Sequence, residues 1–131
     1  MKAKDALYAE AEAVYRRTVQ IRMDAYSGRP IPDLTTVAVG SGLESLTTDL
    51  QRGITIKSGE LIIVSVARNP GQSREGSIVA LTSCIDTTQA DIYDRGTKIT
   101  LNPRGIESTF YRRDGEALKL AYIGSKGSSQ C

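Results

Sequence analysis

The chain has 131 residues, of which 40% are hydrophobic and 24% are charged, and its 17 basic and 15 acidic residues give a formal net charge of +2. This length suits about one domain with a single core, and the scattered basic residues leave no electrostatic footprint for nucleic acid. The longest apolar run, Leu61 to Val64, is far shorter than the ~20 residues that cross a bilayer.

A long amphipathic helix is predicted over Ala3 to Tyr26. This stretch contains no glycine or proline, and small or apolar side chains recur at a spacing of three to four: Leu7, Ala11, Val14, Thr18, Ile21 and Ala25. Gly28 and the two prolines that follow it should end the helix. The width of the stripe predicts that the helix packs across a sheet.

A second helical region is predicted after Pro32. Asp33 is a suitable N-cap, and Leu43, Leu46 and Leu50 fall on one helical face. Gly53 is the expected stop, and Gly40-Ser41-Gly42 is expected to break the region into a short turn and a longer helix.

The second half of the chain is rich in β-forming residues. The segments that predict strands are "ITIKSG", "GELIIVSVAR", "GSIVALTSCIDTT", "RGIESTFYRR" and "EALKLAYIG". Asp114-Gly115 joins the last two and favours a two-residue hairpin with a type I′ turn. Leu118, Leu120 and Tyr122 alternate along the last strand, so their shared face should meet the helices.

Helices grouped before strands predict an α+β fold, in which two helical regions cover one side of a curved antiparallel sheet of four to five strands. We expect one domain over residues 1–131, with helices at about 3–52, the sheet at about 54–124 and a tail at 125–131.

Several kinds of chemistry are absent from the sequence. Without histidine, it cannot build Ser-His-Asp or Cys-His nucleophile systems or a histidine-ligated zinc site. Two cysteines so far apart make no metal site of their own, and "GSGLES" lacks the lysine and the preceding strand of a phosphate-binding loop. No catalytic residue, metal or cofactor is predicted, and the sequence favours a non-enzymatic protein.

Cys84 and Cys131 are the two cysteines of the chain. Cys131 follows the flexible segment "GSKGSSQ", and a bridge to Cys84 would tie this tail down. Two unpaired structural cysteines and a reactive Cys84 thiol remain as alternatives, although the strand end at Cys84 provides no cation or helix N-terminus to activate a thiol.

Four further residues are candidates for a binding pocket: Asp86, Tyr93, Tyr111 and Tyr122. Asp86 is either a general base at the mouth of the sheet or the polar residue that ends a strand and bonds a turn amide. Tyr93 either reaches a ligand or anchors a loop through its ring, while Asp94-Arg95-Gly96 forms a turn. Arg112 and Arg113 should point to opposite sides of their strand, which makes an anion site there an unfavoured alternative.

These features together resemble small secreted proteins and lipoproteins of actinobacteria that have the cone-shaped α+β fold of nuclear transport factor two, the fold of ketosteroid isomerase and polyketide cyclases. The carrying motifs are Tyr15-Arg16-Arg17 in the long helix, Cys84-Ile85-Asp86 followed by Tyr93-Asp94, the hairpin "FYRRDGEALKL", and the glycine-rich tail that ends in Cys131. Ala117 departs from the pattern, since family members usually have tryptophan there.

The resemblance implies an extracytoplasmic protein, either secreted or held in the cell envelope by a lipid anchor on a preceding leader. It also implies a Cys84 to Cys131 disulfide and a pocket in the concave sheet. We therefore expect a module that binds a small ligand or a protein, and a homodimer through the open sheet is plausible. The alternatives are an isomerase-like or cyclase-like enzyme with Asp86 as base and Tyr93 as donor, and a scaffold domain of a secretion or conjugation apparatus.

Overall fold

The computed structural model describes residues 2–99, 104–126 and 131. Within these residues the chain forms the helices α1 (Lys2–Tyr26) and α2 (Gly40–Leu50) with a short 3-10 helix (Leu34–Thr36) between them. The strands that follow are β1 (Ile54–Gly59), β2 (Ile62–Arg68), β3 (Val79–Asp86), β4 (Ala90–Asp94), β5 (Thr97–Lys98), β6 (Arg104–Asp114) and β7 (Ala117–Lys126).

The strands form two antiparallel sheets, which confirms the α+β class. One sheet has four strands in the order β2-β3-β6-β7, and the other has three in the order β1-β4-β5. The predicted single sheet of four to five strands was therefore too simple. The prediction missed β4 and β5 because β5 has two residues and β4 has five, two of which are aspartates, a residue type depleted in strands.

Helix α1 packs on the four-stranded sheet, as its wide stripe predicted. Tyr8, Ala11, Tyr15 and Val19 are buried along it and contribute to one core with residues of β3, β6 and β7. The helix ends at Tyr26, as predicted, two residues before Gly28, which has a φ of 78°. We call the face of this sheet that contacts the helices the inner face, and the opposite face the outer face.

The break in the second helical region lies before Gly40 rather than at Gly40-Ser41-Gly42. Asp33 does cap a helical turn, since its carboxylate accepts from the Thr35 amide at 3.0 Å, but that turn is the short 3-10 helix. Gly42 instead lies inside α2, where a Cβ atom would collide with the backbone carbonyl of Leu120 in β7. The glycine therefore allows α2 to approach the edge of the sheet closely.

The hairpin of β6 and β7 differs from its prediction in two details. Gly115 and Glu116 form the two-residue loop, and only Gly115 has a positive φ, 67°; glycine at the first position is typical of a type II′ turn rather than type I′. In addition, Phe110 pairs with Tyr122 but Tyr111 pairs with Leu120, so Ala121 is the extra residue of a β-bulge. The bulge places Leu118 and Leu120 on the inner face and Tyr122 on the outer face.

Candidate functional site

Cys84 and Cys131 form the predicted disulfide. Their Cα atoms are 6.0 Å apart, and the bridge joins the centre of the four-stranded sheet to the last residue of the chain. Residues 127–130 of the predicted tail lie outside the described residues. A disulfide is compatible with an oxidising, extracytoplasmic location, and neither described helix combines the length and the apolar content of a membrane span.

Asp86 ends β3 and bonds a turn. Its carboxylate accepts hydrogen bonds from the Thr88 amide at 2.8 Å and the Thr88 hydroxyl at 2.6 Å. An ion pair with Arg104 at 3.5 Å adds to them. The Thr88 hydrogen bonds, followed by the nearby Arg104, lower the pKa of Asp86, which is the opposite of what a general base at neutral pH needs.

Tyr93 lies in β4 and therefore belongs to the other sheet. Lys57 places its ammonium 4.0 Å from the centre of the Tyr93 ring, and the hydroxyl lies 3.5 Å from an Asp91 carboxylate oxygen. The predicted turn follows at Arg95 and Gly96, which both have positive φ. The ring thus anchors a strand rather than a loop, and the structure does not bring Tyr93 together with Asp86 at a cavity.

Tyr111 and Tyr122 lie on opposite faces of the four-stranded sheet. Tyr111 is fully buried on the inner face, where its hydroxyl donates to Thr109 at 2.9 Å, and burial raises its pKa. Tyr122 is half-buried on the outer face and meets the Phe110 ring edge to face, with ring centres 5.7 Å apart. Tyr122 lines an open groove on that face.

The residues that do line a cavity on the helix side were missed by the sequence prediction. This cavity has a volume of about 180 Å³ and lies between the ends of α1 and α2, the end of β3, and the three-stranded sheet. Its apolar lining is Ile54, Ile56, Leu61, Ile85, Ile92 and Ile99, and its polar lining is Arg22, Tyr26, Asp49, Arg52 and Thr87. We call it the isoleucine cavity.

Arg22 is the most deeply placed charge at the isoleucine cavity. Its side chain is 11% exposed and donates to both carboxylate oxygens of Glu107, at 2.8 and 3.2 Å. Burial alone would lower the pKa of Arg22. The adjacent Glu107 carboxylate raises this pKa by more than burial lowers it, so the guanidinium stays charged. Its Nε is buried, and no described residue accepts its hydrogen.

Two further ionic groups stand at the isoleucine cavity. Asp49 near the end of α2 and Arg52 just after the helix form a loose ion pair of 3.9 Å. Together with Arg22 and Glu107 they bring two positive and two negative charges to this site, so the local charge sums to zero. Burial raises the pKa of Tyr26, which keeps its hydroxyl protonated as a hydrogen-bond donor.

Tyr15 makes the stability of this region sensitive to alkaline pH. Its hydroxyl accepts from Ser83 at 2.7 Å, and burial raises its pKa from 10.0 to about 12. Because the unfolded chain then loses this proton first, we expect the free energy of unfolding to fall as pH rises from about 10 to about 12. Urea unfolding over this window should show a smaller fall in Tyr15→Phe, whereas an equal fall in both proteins would contradict the assignment.

Comparisons with known proteins show a similarity of fold. No family model and no curated protein matches the chain. Among solved structures, the chain is similar to the intermembrane space region of the chloroplast protein ARC6, with a TM-score of 0.55, 17% sequence identity, and coverage of 90% of this chain and 95% of that one. At this identity the likeness supports the α+β architecture over most of the chain and leaves its function to be argued from the site.

Proposed function

We propose that this protein is a non-enzymatic binding module that takes up a compact, neutral, largely apolar ligand, or an apolar group of a larger one, in the isoleucine cavity. The observation that carries the proposal is the cavity itself, where six aliphatic side chains and a protonated tyrosine, Tyr26, line one space. An apolar cavity with few placed polar groups is the usual form of a small-molecule site.

The size of the isoleucine cavity limits the ligand. A cavity of ~150 Å³ lined by aliphatic and aromatic side chains holds a molecule such as benzene, and this one has about 180 Å³. A six-membered ring with one substituent is therefore a suitable probe. Larger ligands would extend past Arg52, whose side chain is 62% exposed.

The charges around the cavity favour a neutral ligand with one acceptor. Because Arg22 is already paired with Glu107, and Arg52 with Asp49, a buried anion would find no uncompensated cation among the described lining residues to offset its loss of water. A carbonyl oxygen, by contrast, can accept a hydrogen bond from the Tyr26 hydroxyl. Such a hydrogen bond contributes ~1 kcal/mol, a factor of about five in affinity.

Cyclohexanone is the probe for this proposal. Calorimetric titration should show one site per chain, with about fivefold weaker binding of methylenecyclohexane, which has the same shape but no acceptor. Ile92→Phe should fill the cavity and reduce binding at least tenfold, whereas Ile62→Phe, at a strand residue that is 36% exposed, should leave binding unchanged. Equal affinity of the Ile92→Phe and wild-type proteins would count against the site.

The proposed location is extracytoplasmic, either secreted or as a cell-envelope lipoprotein. The Cys84–Cys131 disulfide supports it, because such bonds persist in oxidising compartments. A homodimer through the open sheet and a role as an assembly scaffold remain predictions. Light scattering on the eluting protein measures the first.

One observation favours an enzyme as the second candidate. The isoleucine cavity combines a carboxylate, Asp49, with a protonated tyrosine, Tyr26, which is the pairing that proton abstraction next to a carbonyl requires. In that case the protein should catalyse exchange of the α-hydrogens of cyclohexanone for deuterium, and Asp49→Asn should abolish the exchange. Exchange at the rate of buffer alone would leave the binding module as the function.

A further inference from the structure

A second concave site lies on the outer face, on the opposite side of the four-stranded sheet from the isoleucine cavity. The groove has a volume of about 290 Å³. Its floor is a row of small residues that pair across β3, β6 and β7: Thr82, Ser108 and Gly124. Phe110 and Tyr122 form one wall, and the loop after β2 supplies Asn69, Gln72 and Arg74. We call it the outer groove.

The polar side chains of the outer groove have unused hydrogen-bonding capacity. Within the part of the chain that the structure describes, no hydrogen bond involves the side chains of Asn69, Gln72, Thr82 or Ser108. Thr82 and Ser108 are Cα partners in neighbouring strands, so their hydroxyls lie side by side. Gly124 leaves this floor open, because a Cβ there would meet only the Tyr122 ring edge, at 3.6 Å.

This lining fits a saccharide better than the other common ligands. An apolar ligand would strip water from the hydroxyl and amide groups without replacing their hydrogen bonds. A peptide could not add as a strand here, because β3 and β6 lie inside the sheet and already use their backbone groups. A sugar ring offers several hydroxyls to the polar groups and an apolar C–H surface to the Tyr122 and Phe110 rings.

Arg74 adds a charge preference. Its guanidinium lies 5.8 Å from the centre of the Tyr122 ring, and it makes no ion pair with a described carboxylate. We propose that the outer groove binds a saccharide chain that carries a carboxylate on at least one sugar unit. This site is separate from the isoleucine cavity, so the proposal stands or fails independently of the function proposed above.

Amide chemical-shift mapping on the whole protein tests this proposal with two sources of acidic sugar. One probe is tetragalacturonate, and the other is a tetrasaccharide of alternating N-acetylglucosamine and N-acetylmuramate. At least one should shift the amides of Arg74, Thr82, Ser108 and Tyr122, and whichever binds identifies the source. For tetragalacturonate, methyl esterification or Arg74→Gln should each weaken binding about tenfold, because either change removes a charge-assisted hydrogen bond.

A steric variant localises the binding. Gly124→Val should fill the floor of the outer groove and abolish the shifts, while Thr55→Val, which adds the same side chain to the other sheet, should leave them intact. Both variants should keep the strand pairs of the wild type in their amide spectra. The proposal is overturned if neither saccharide shifts these amides at millimolar concentration, if Gly124→Val binds like the wild type, or if only a polyglutamate peptide produces the shifts.

Discussion

Replacing Glu107 by leucine is expected to lower the free energy of unfolding by about 3–5 kcal/mol, because it leaves the buried Arg22 guanidinium without its counter-ion. The two side chains are 11% and 14% exposed and share two hydrogen bonds, so water cannot replace the lost carboxylate. Urea unfolding of the two proteins, followed by circular dichroism, measures the difference.

A double-mutant cycle separates this pair from ordinary loss of packing. Arg22→Met should also lower the free energy of unfolding, because it leaves the Glu107 carboxylate without its counter-ion. The double variant should lose less stability than either single variant. Asp5→Leu is the matched control, because its ion pair with Arg68 is exposed and contributes at most ~1 kcal/mol. Additive losses in the double variant would show that the two charges are not coupled.

Removing the disulfide is the second change with a large expected effect. Cys131→Ser should lower the free energy of unfolding by about 4 kcal/mol in the chain-entropy model, because the bridge closes a loop between cysteines 47 positions apart. Cys131 is the suitable position to change, since it is exposed while Cys84 is buried in the sheet. Urea unfolding without reductant measures the loss.

Reductant provides the internal control for the bridge. The wild-type protein with reductant should match Cys131→Ser, and the variant should not respond to reductant at all. If the oxidised wild type and the variant unfold at the same urea concentration with the same slope, the disulfide does not constrain the unfolded chain as we infer.

The elements that could be predicted are those whose signal is local. The stripe of α1 with its Gly28 end, and the alternating strands around Asp114-Gly115, all have periodicity and turn residues within a few positions. The prediction of the Cys84–Cys131 bridge was also correct, because a chain with two cysteines allows a single intramolecular pairing. These features were sufficient for the α+β class.

The features that could not be predicted depend on pairing between distant segments. Strand β4 is stabilised by its register with β1, where Ile92 is the Cα partner of Ile56, rather than by its own aspartate-rich sequence. The single extra residue Ala121 turned Tyr122 away from the helices, and no sequence pattern marks such a bulge.

One residue of the isoleucine cavity, Arg22, could have been recognised from the sequence. Arg22 follows Tyr15 by seven residues and Thr18 by four, which places a charge on the buried stripe of α1. A charge at such a position requires a partner, but its identity, Glu107, and the contribution of Asp49 from α2 follow from tertiary structure alone.

Methyl-resolved NMR of isoleucine-labelled protein shows directly whether the isoleucine cavity binds a compact neutral ligand. On titration with cyclohexanone, the methyl signals of the cavity isoleucines 54, 56, 85, 92 and 99 should shift together with one saturation curve. The exposed Ile31, Ile62 and Ile78 are built-in controls and should not move. Shifts of the exposed isoleucines alone, or of none, would show that the isoleucine cavity does not bind this ligand.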